Sequence, residues 1–149
     1  MYEQQQQGTV TAMEYTVSTK SNRSKKFIEC LMPSMIKQLG LENSRKYVLI
    51  DVSKAGPGES NDGITVPLPG LDCYVIAIKL GPPDKMGATL AHEMVHIKQM
   101  AKGQLKSVGK NQYWAGKKYT SKTKYLYLPW EVEAFSKQEL IFRRAVEDS

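Results

Sequence analysis

The chain contains two histidines, and they stand four residues apart with a glutamate directly after the first: His92-Glu93-Met94-Val95-His96. On an α-helix, residues four apart lie about 40° apart around the axis and roughly 6 Å from each other. Both imidazoles then reach one cation at about 2.0–2.1 Å, the usual Zn–N distance. Glu93 projects beside that point, where a carboxylate can take a proton from a bound water. The spacing therefore demands a helix at this place. A catalytic zinc site also takes three protein ligands and keeps one position open, so the rest of the chain must bring one more donor to that helix.

The pattern around the motif agrees with a helix at the border of a core. Met86, Leu90, Met94, Ile97 and Ala101 form an apolar stripe, with Lys98, Lys102, Ala91 and Gln99 expected opposite. His92 and His96 fall at one margin of the stripe. Short motifs also arise by accident, and an ordinary helix with two unrelated histidines is the bland alternative.

No third histidine exists, so the remaining donor is of another type. Cys30 and Cys73 fall in predicted core elements upstream. The segment Pro129-Trp130-Glu131-Val132-Glu133-Ala134-Phe135 offers two carboxylates. On a helix wheel Glu131 shares its face with Ala134, Phe135, Ile141, Phe142 and Ala145, whereas Glu133 points the other way with Lys137 and Arg144. A carboxylate on an apolar face is costly unless it is paired or bound to a metal. That favours Glu131 over Glu133.

The remaining elements follow from periodicity and punctuation. The residues through Gly8 are polar and expected to be frayed. Thr9–Thr19 reads as a strand and Ser21–Leu39 as a helix, capped by Ser21 or Asn22 and ended by Gly40. Pro33 predicts a kink or break within it. Tyr47–Val52 and Leu71–Leu80 are strands by their β-branched content. Between them, Lys54–Gly63 is a loop of turn formers. Asp84–Lys102 is the motif helix, with Asp84 as cap and Gly103 as stop. Tyr113–Tyr127 reads as a loop or irregular hairpin. The last helix opens at Pro129 and runs to about Val146. The fold class is α+β, and 149 residues make one domain with room for a core.

Composition narrows the setting. Hydrophobic residues are 41% and charged residues 24%, ordinary for a globular chain. No apolar run approaches the roughly 20 residues of a membrane span, and the N-terminus does not read as a secretory signal. The 2 cysteines are too few for a disulfide framework and read as buried thiols in a reducing compartment, which makes the cytoplasm the expected location. The net charge of +6 is concentrated: between Met94 and Trp130 lie eight lysines and no acid, which leaves −2 for everything else. Lys98–Lys124 could attract an acidic partner such as nucleic acid, or be a solvated face; arginine, the better phosphate fork, is absent from it.

Taken together, His92-Glu93-Met94-Val95-His96 and the later glutamate helix resemble the gluzincin class of zinc metallopeptidases. The small SprT-like and ImmA-like members of bacteria and phages are the nearest in size. Pro129, Glu131 and Ala134 match the Pro-x-Glu-x-x-Ala pattern that opens the glutamate helix in several such families. Other gluzincins place the ligand directly before Ala or Gly, which selects Glu133. The chain differs from SprT proteins in having no third histidine and no C-terminal zinc-ribbon cysteines. The resemblance implies a compact zincin-like domain and a Zn²⁺ cofactor held by His92, His96 and Glu131, with Glu93 as general base in peptide hydrolysis. It implies a backing helix at Ser21–Leu39 and a substrate-aligning edge strand just before the motif helix, the position of Leu71–Leu80. A tyrosine is expected to assist the oxyanion, from among Tyr113, Tyr119, Tyr125 and Tyr127. A catalytically silent, zinc-stabilised or DNA-associated module of the same fold is the alternative.

Overall fold

The computed structural model describes residues 13–58, 61–120 and 122–149. The expected fraying through Gly8 and the first part of the Thr9–Thr19 strand lie outside these residues. The architecture is α+β, with three helices, a four-stranded mixed sheet and a second sheet of three strands.

The chain enters the first sheet at β1 (Glu14–Ser18) and crosses through α1 (Asn22–Gln38) to β2 (Tyr47–Ser53), which pairs parallel to β1. Ser21 caps α1 by accepting from the Ser24 N–H at 3.2 Å, as its small polar side chain allows. Pro33 lies inside α1, yet the helix runs unbroken. Both Pro33 and Glu29, whose carbonyl loses its partner, are exposed, so water can satisfy that carbonyl. Phe27, Leu31, Met35 and Leu39 do form the inward stripe.

In β2 the residues Val48, Ile50 and Val52 are buried and alternate with half-buried neighbours. β4 (Cys73–Lys79) repeats this with Tyr74, Ile76 and Ile78. The period of two puts one face of each strand against the helices. The sheet order is β1-β2-β4-β3, where β3 is Gly63–Leu68. This corrects the expectation for Leu71–Leu80: β4 is an inner strand, and β3 is the edge, antiparallel to β4. β3 begins at the last residue of the expected Lys54–Gly63 loop. It carries Pro67, which turn-based reading counts against a strand but which an edge tolerates.

The motif helix α2 (Pro83–Ala101) starts after Pro82, and Asp84 lies in its first turn rather than capping it. Its burial extends beyond the expected stripe. Ala91 and Gln99, expected opposite it, are both fully buried, because α3 (Pro129–Asp148) covers that side. Gly87 makes this close approach possible: a Cβ there would stand 2.1 Å from the Phe142 ring. α3 also packs on α1, where Gln38 Nε2 donates to the Ile141 carbonyl at 3.0 Å.

Between α2 and α3 runs a small antiparallel sheet, β5 (Leu105–Val108), β6 (Asn111–Trp114) and β7 (Lys117–Tyr119), followed by a 3₁₀ turn at Tyr125–Tyr127; the end of β6, β7 and the turn fall in the expected Tyr113–Tyr127 loop or irregular hairpin, and β5 lies outside it. Ala115 and Gly116, at φ 50° and 85°, form the two-residue link between β6 and β7. Such a double left-handed link matches the twist of the paired strands. Trp114 and Tyr119 pack on buried Trp130, with ring centroids 6.4 and 5.5 Å away, so the sheet braces the start of α3. The two thiols are free, and neither is buried: Cys30 is exposed on α1 and Cys73 half-buried. The expectation of buried thiols is corrected, since the apolar stripe of α1 turns away from Cys30. No helix among the described residues is long and apolar enough to cross a membrane.

Candidate metal centre

α2 presents His92 and His96 one turn apart, and the first turn of α3 presents Glu131 to both. Glu131 Oε1 lies 2.9 Å from His92 Nε2 and 3.1 Å from His96 Nε2. One ligand atom from each residue falls within 4.8 Å of the others. All three residues are buried, between 6% and 8% exposed. Pro129 sets up this delivery: a proline without an N–H begins a helix at no cost, which places Glu131 in the first turn against α2.

The donor set fits a small divalent cation. Ligand atoms at tetrahedral corners around Zn²⁺, each about 2.0–2.1 Å from the metal, stand roughly 3.3 Å from each other. The two separations to Glu131 Oε1 need open by only a few tenths of an ångström. The hydrogen bonds behind the rings strengthen the fit. His96 Nδ1 lies 2.8 Å from Gln99 Oε1 and His92 Nδ1 lies 2.8 Å from Gln138 Oε1. Amide oxygens only accept, so each Nδ1 carries a proton. A neutral ring then turns the lone pair of Nε2 towards the Glu131 oxygen, and two lone pairs facing one carboxylate call for a cation between them.

The charge balance follows the same geometry. Burial pushes the Glu131 carboxyl up, but hydrogen bonds to His92 and His96 outweigh it and hold the group at about 2. For His96, burial favours the neutral ring, and the bonds to Glu131 and Gln99 overcome that and raise it.

Glu93 lies beside this triangle and outside it. Its carboxylate accepts from the Thr65 hydroxyl of β3 at 2.7 Å. Gly63 lets β3 come this close, because a Cβ there would stand 2.5 Å from the Thr89 methyl and 3.1 Å from Glu93 Oε2. Burial raises the Glu93 carboxyl, and the Thr65 bond and the two imidazoles offset this only in part.

Glu133 is placed elsewhere. It accepts from Lys137 Nζ at 2.8 Å and from Gln99 Nε2 at 2.9 Å, with Lys98 Nζ at 3.8 Å. The carboxylate on the apolar face is the one brought to the histidines, and the carboxylate among cations is not. Of the four tyrosines considered, Tyr125 is the one whose hydroxyl donates to Glu131 Oε1, at 3.1 Å. Burial and the Glu131 charge raise the Tyr125 hydroxyl well above its ordinary range, which keeps it a donor. Phe135 packs edge-on to His92, with centroids 4.5 Å apart. Sequence reasoning passed over Thr65, Gln99 and Gln138. Gln99 carried a signal, being a polar residue one turn beyond the second histidine, whereas Thr65 and Gln138 carried none.

The chain matches no protein-family model, no curated protein and no solved structure.

Proposed function

We propose that the protein is a metal-dependent peptidase of the gluzincin type, with a zincin-like arrangement of its helices and edge strand. The observation that carries this reading is Glu93: a buried carboxylate beside three convergent ligands, oriented by Thr65, and not itself one of them. A site that only stabilises the fold has no use for such a group. When bound, a divalent cation such as Zn²⁺ supplies Lewis acidity that polarises a carbonyl and acidifies water. His92, His96 and Glu131 would hold it.

Glu93 accepts a proton from the attacking water as its oxygen bonds to the carbonyl carbon. It then delivers that proton to the amine nitrogen as the C–N bond breaks. Its raised affinity for a proton is in the direction that suits a general base working near neutral pH. The Tyr125 hydroxyl stands next to the same oxygen cluster and can donate to the oxyanion.

The surroundings suit an extended peptide. Among the described residues no strand covers the outer edge of β3, so its backbone groups are free to pair with a substrate. Clefts open on both sides of the site along that edge. One, of about 180 Å³, is lined by Gly63, Thr89, Glu93 and Phe135; the other, of about 400 Å³, by Pro67, Met100, Leu105 and Trp130. Tyr125 borders both.

The test is a comparison of Zn²⁺-loaded wild type with Glu93→Gln on a mixed peptide library and a denatured protein. The substitution keeps the side chain's shape and removes its ability to accept the proton. Hydrolysis should fall by about 10²-fold or more with zinc content and melting temperature retained. Equal cleavage by both proteins overturns the assignment of Glu93. Zinc bound by both with no cleavage by wild type favours the silent, zinc-stabilised module.

A further inference from the structure

One polar side chain in the α2–α3 seam ties the two helices together through both ends of its amide. Gln99 is fully buried, and both ends of its amide are engaged. Its Nε2 donates to the Trp130 carbonyl at 3.0 Å and to Glu133 Oε1 at 2.9 Å. Its Oε1 faces His96 Nδ1 at 2.8 Å. A backbone carbonyl and a carboxylate can only accept, so the end facing them must be the NH₂ group. The amide orientation is thereby dictated by its neighbours. The oxygen must then face His96, and His96 must carry its proton on Nδ1. Nε2 is left as the lone pair directed at Glu131 and Tyr125's shared oxygen.

We propose that Gln99 is a positioning residue for the metal centre: one buried amide selects the Nδ1–H tautomer of His96 and anchors α3 on either side of Glu131. Trp130 precedes Glu131 by one residue and Glu133 follows it by two, so the amide holds the backbone turn that carries the third ligand. Two ligands on separate helices are thus set by a single side chain. His92 has a counterpart in Gln138, which reaches the ring from α3 but is half-exposed. Partners of this kind behind a ligating ring typically change metal affinity by 10–100-fold when removed. The inference rests on the three-residue metal site and not on peptide hydrolysis.

The experiment uses the full chain, metal-free, with ¹⁵N-labelled histidine, at a pH that keeps the rings neutral. The chain's 2 histidines give two sets of ring nitrogens, assigned with His92→Ala. Wild-type His96 should show a proton on Nδ1 and a bare Nε2; a proton on Nε2 overturns the proposal. Gln99→Met keeps length and burial and deletes all three hydrogen bonds. It should abolish the single tautomer of His96 and weaken Zn²⁺, measured against a competing chelator, by about 10–100-fold. Ile76→Val, in the fully buried part of the first sheet, serves as the stability control. It should lower the melting temperature while leaving tautomer and Zn²⁺ affinity unchanged. A Gln99→Met protein with wild-type tautomer and affinity overturns the proposal. Should Gln99→Met fail to fold, the wild-type tautomer decides. Should wild type bind no Zn²⁺, the metal reading fails, while the tautomer still tests what Gln99 does to His96.

Discussion

The seam between α2 and α3 and the lysine-rich sheet β5–β7 are joined in sequence and governed by different physics. In the seam, α2 is buried from Met86 to Ile97 on most positions, and its polar groups are spoken for: His92, His96, Gln99 and Glu131 bond to one another or to backbone. Solvent is excluded, so each lost partner leaves an unpaired group. In the sheet, Lys106, Lys110, Lys117 and Lys118 are exposed, and Tyr119 and Trp114 are only half-buried. Charges there are hydrated and individually cheap to change. The contrast teaches that the conspicuous feature of the composition, the run of lysines, is the one with the least structural weight. The weight lies with a few polar residues hidden among apolar ones.

The largest effect should come from the third ligand. Glu131→Gln should weaken Zn²⁺ by more than about 100-fold, beyond what loss of a supporting partner causes. Glu133→Gln should change it by less than about 10-fold, since it lies outside the ligand set. Titration against a chelator reads both, and the opposite ranking would move the site to Glu133.

Next is the packing of the seam. Gly87→Ala places a methyl against the Phe142 ring, where 2.1 Å is available. It should cost roughly 3 kcal/mol, a melting temperature lower by about 6–12 °C, by overpacking. An unchanged melting temperature would show that the seam is softer than its contacts imply. On the other side of the comparison, Trp114→Ala removes half-buried area from Trp130 and should cost about 1–2 kcal/mol. If it costs more than Gly87→Ala, the second sheet is a structural support of α3 equal to α1. The smallest effect belongs to Lys106→Gln with Lys118→Gln, which should shift stability by no more than about 0.5 kcal/mol in thermal unfolding.

Much of this molecule is visible in the one-dimensional pattern, for local reasons. A four-residue spacing on a helix brings His92 and His96 together without help from the rest of the chain. Val48-Leu49-Ile50 and Val75-Ile76-Ala77 announce strands by their own stereochemistry. The stripe of α1 and the proline that opens α3 are equally local. Glu131 could be ranked above Glu133 because a wheel separates two residues on one helix. By contrast β3 was hidden, since Pro67 argues against a strand unless one knows that it lies at an edge. Its membership in the sheet depends on β4, several residues later.

What the sequence determined by itself, then, is the set of short-range facts: the elements, their apolar faces, and the two-histidine pair with its neighbouring glutamate. What only the tertiary structure decided is which distant groups meet them. Glu131, Tyr125, Gln99 and Thr65 converge on α2 from three separate elements and from α2 itself. Those meetings are selected by the packing of α3 across Gly87 and of β3 across Gly63, and by the need to satisfy each buried polar group. Neither packing nor satisfaction has a period that could be read along the chain, because both are properties of pairs of surfaces.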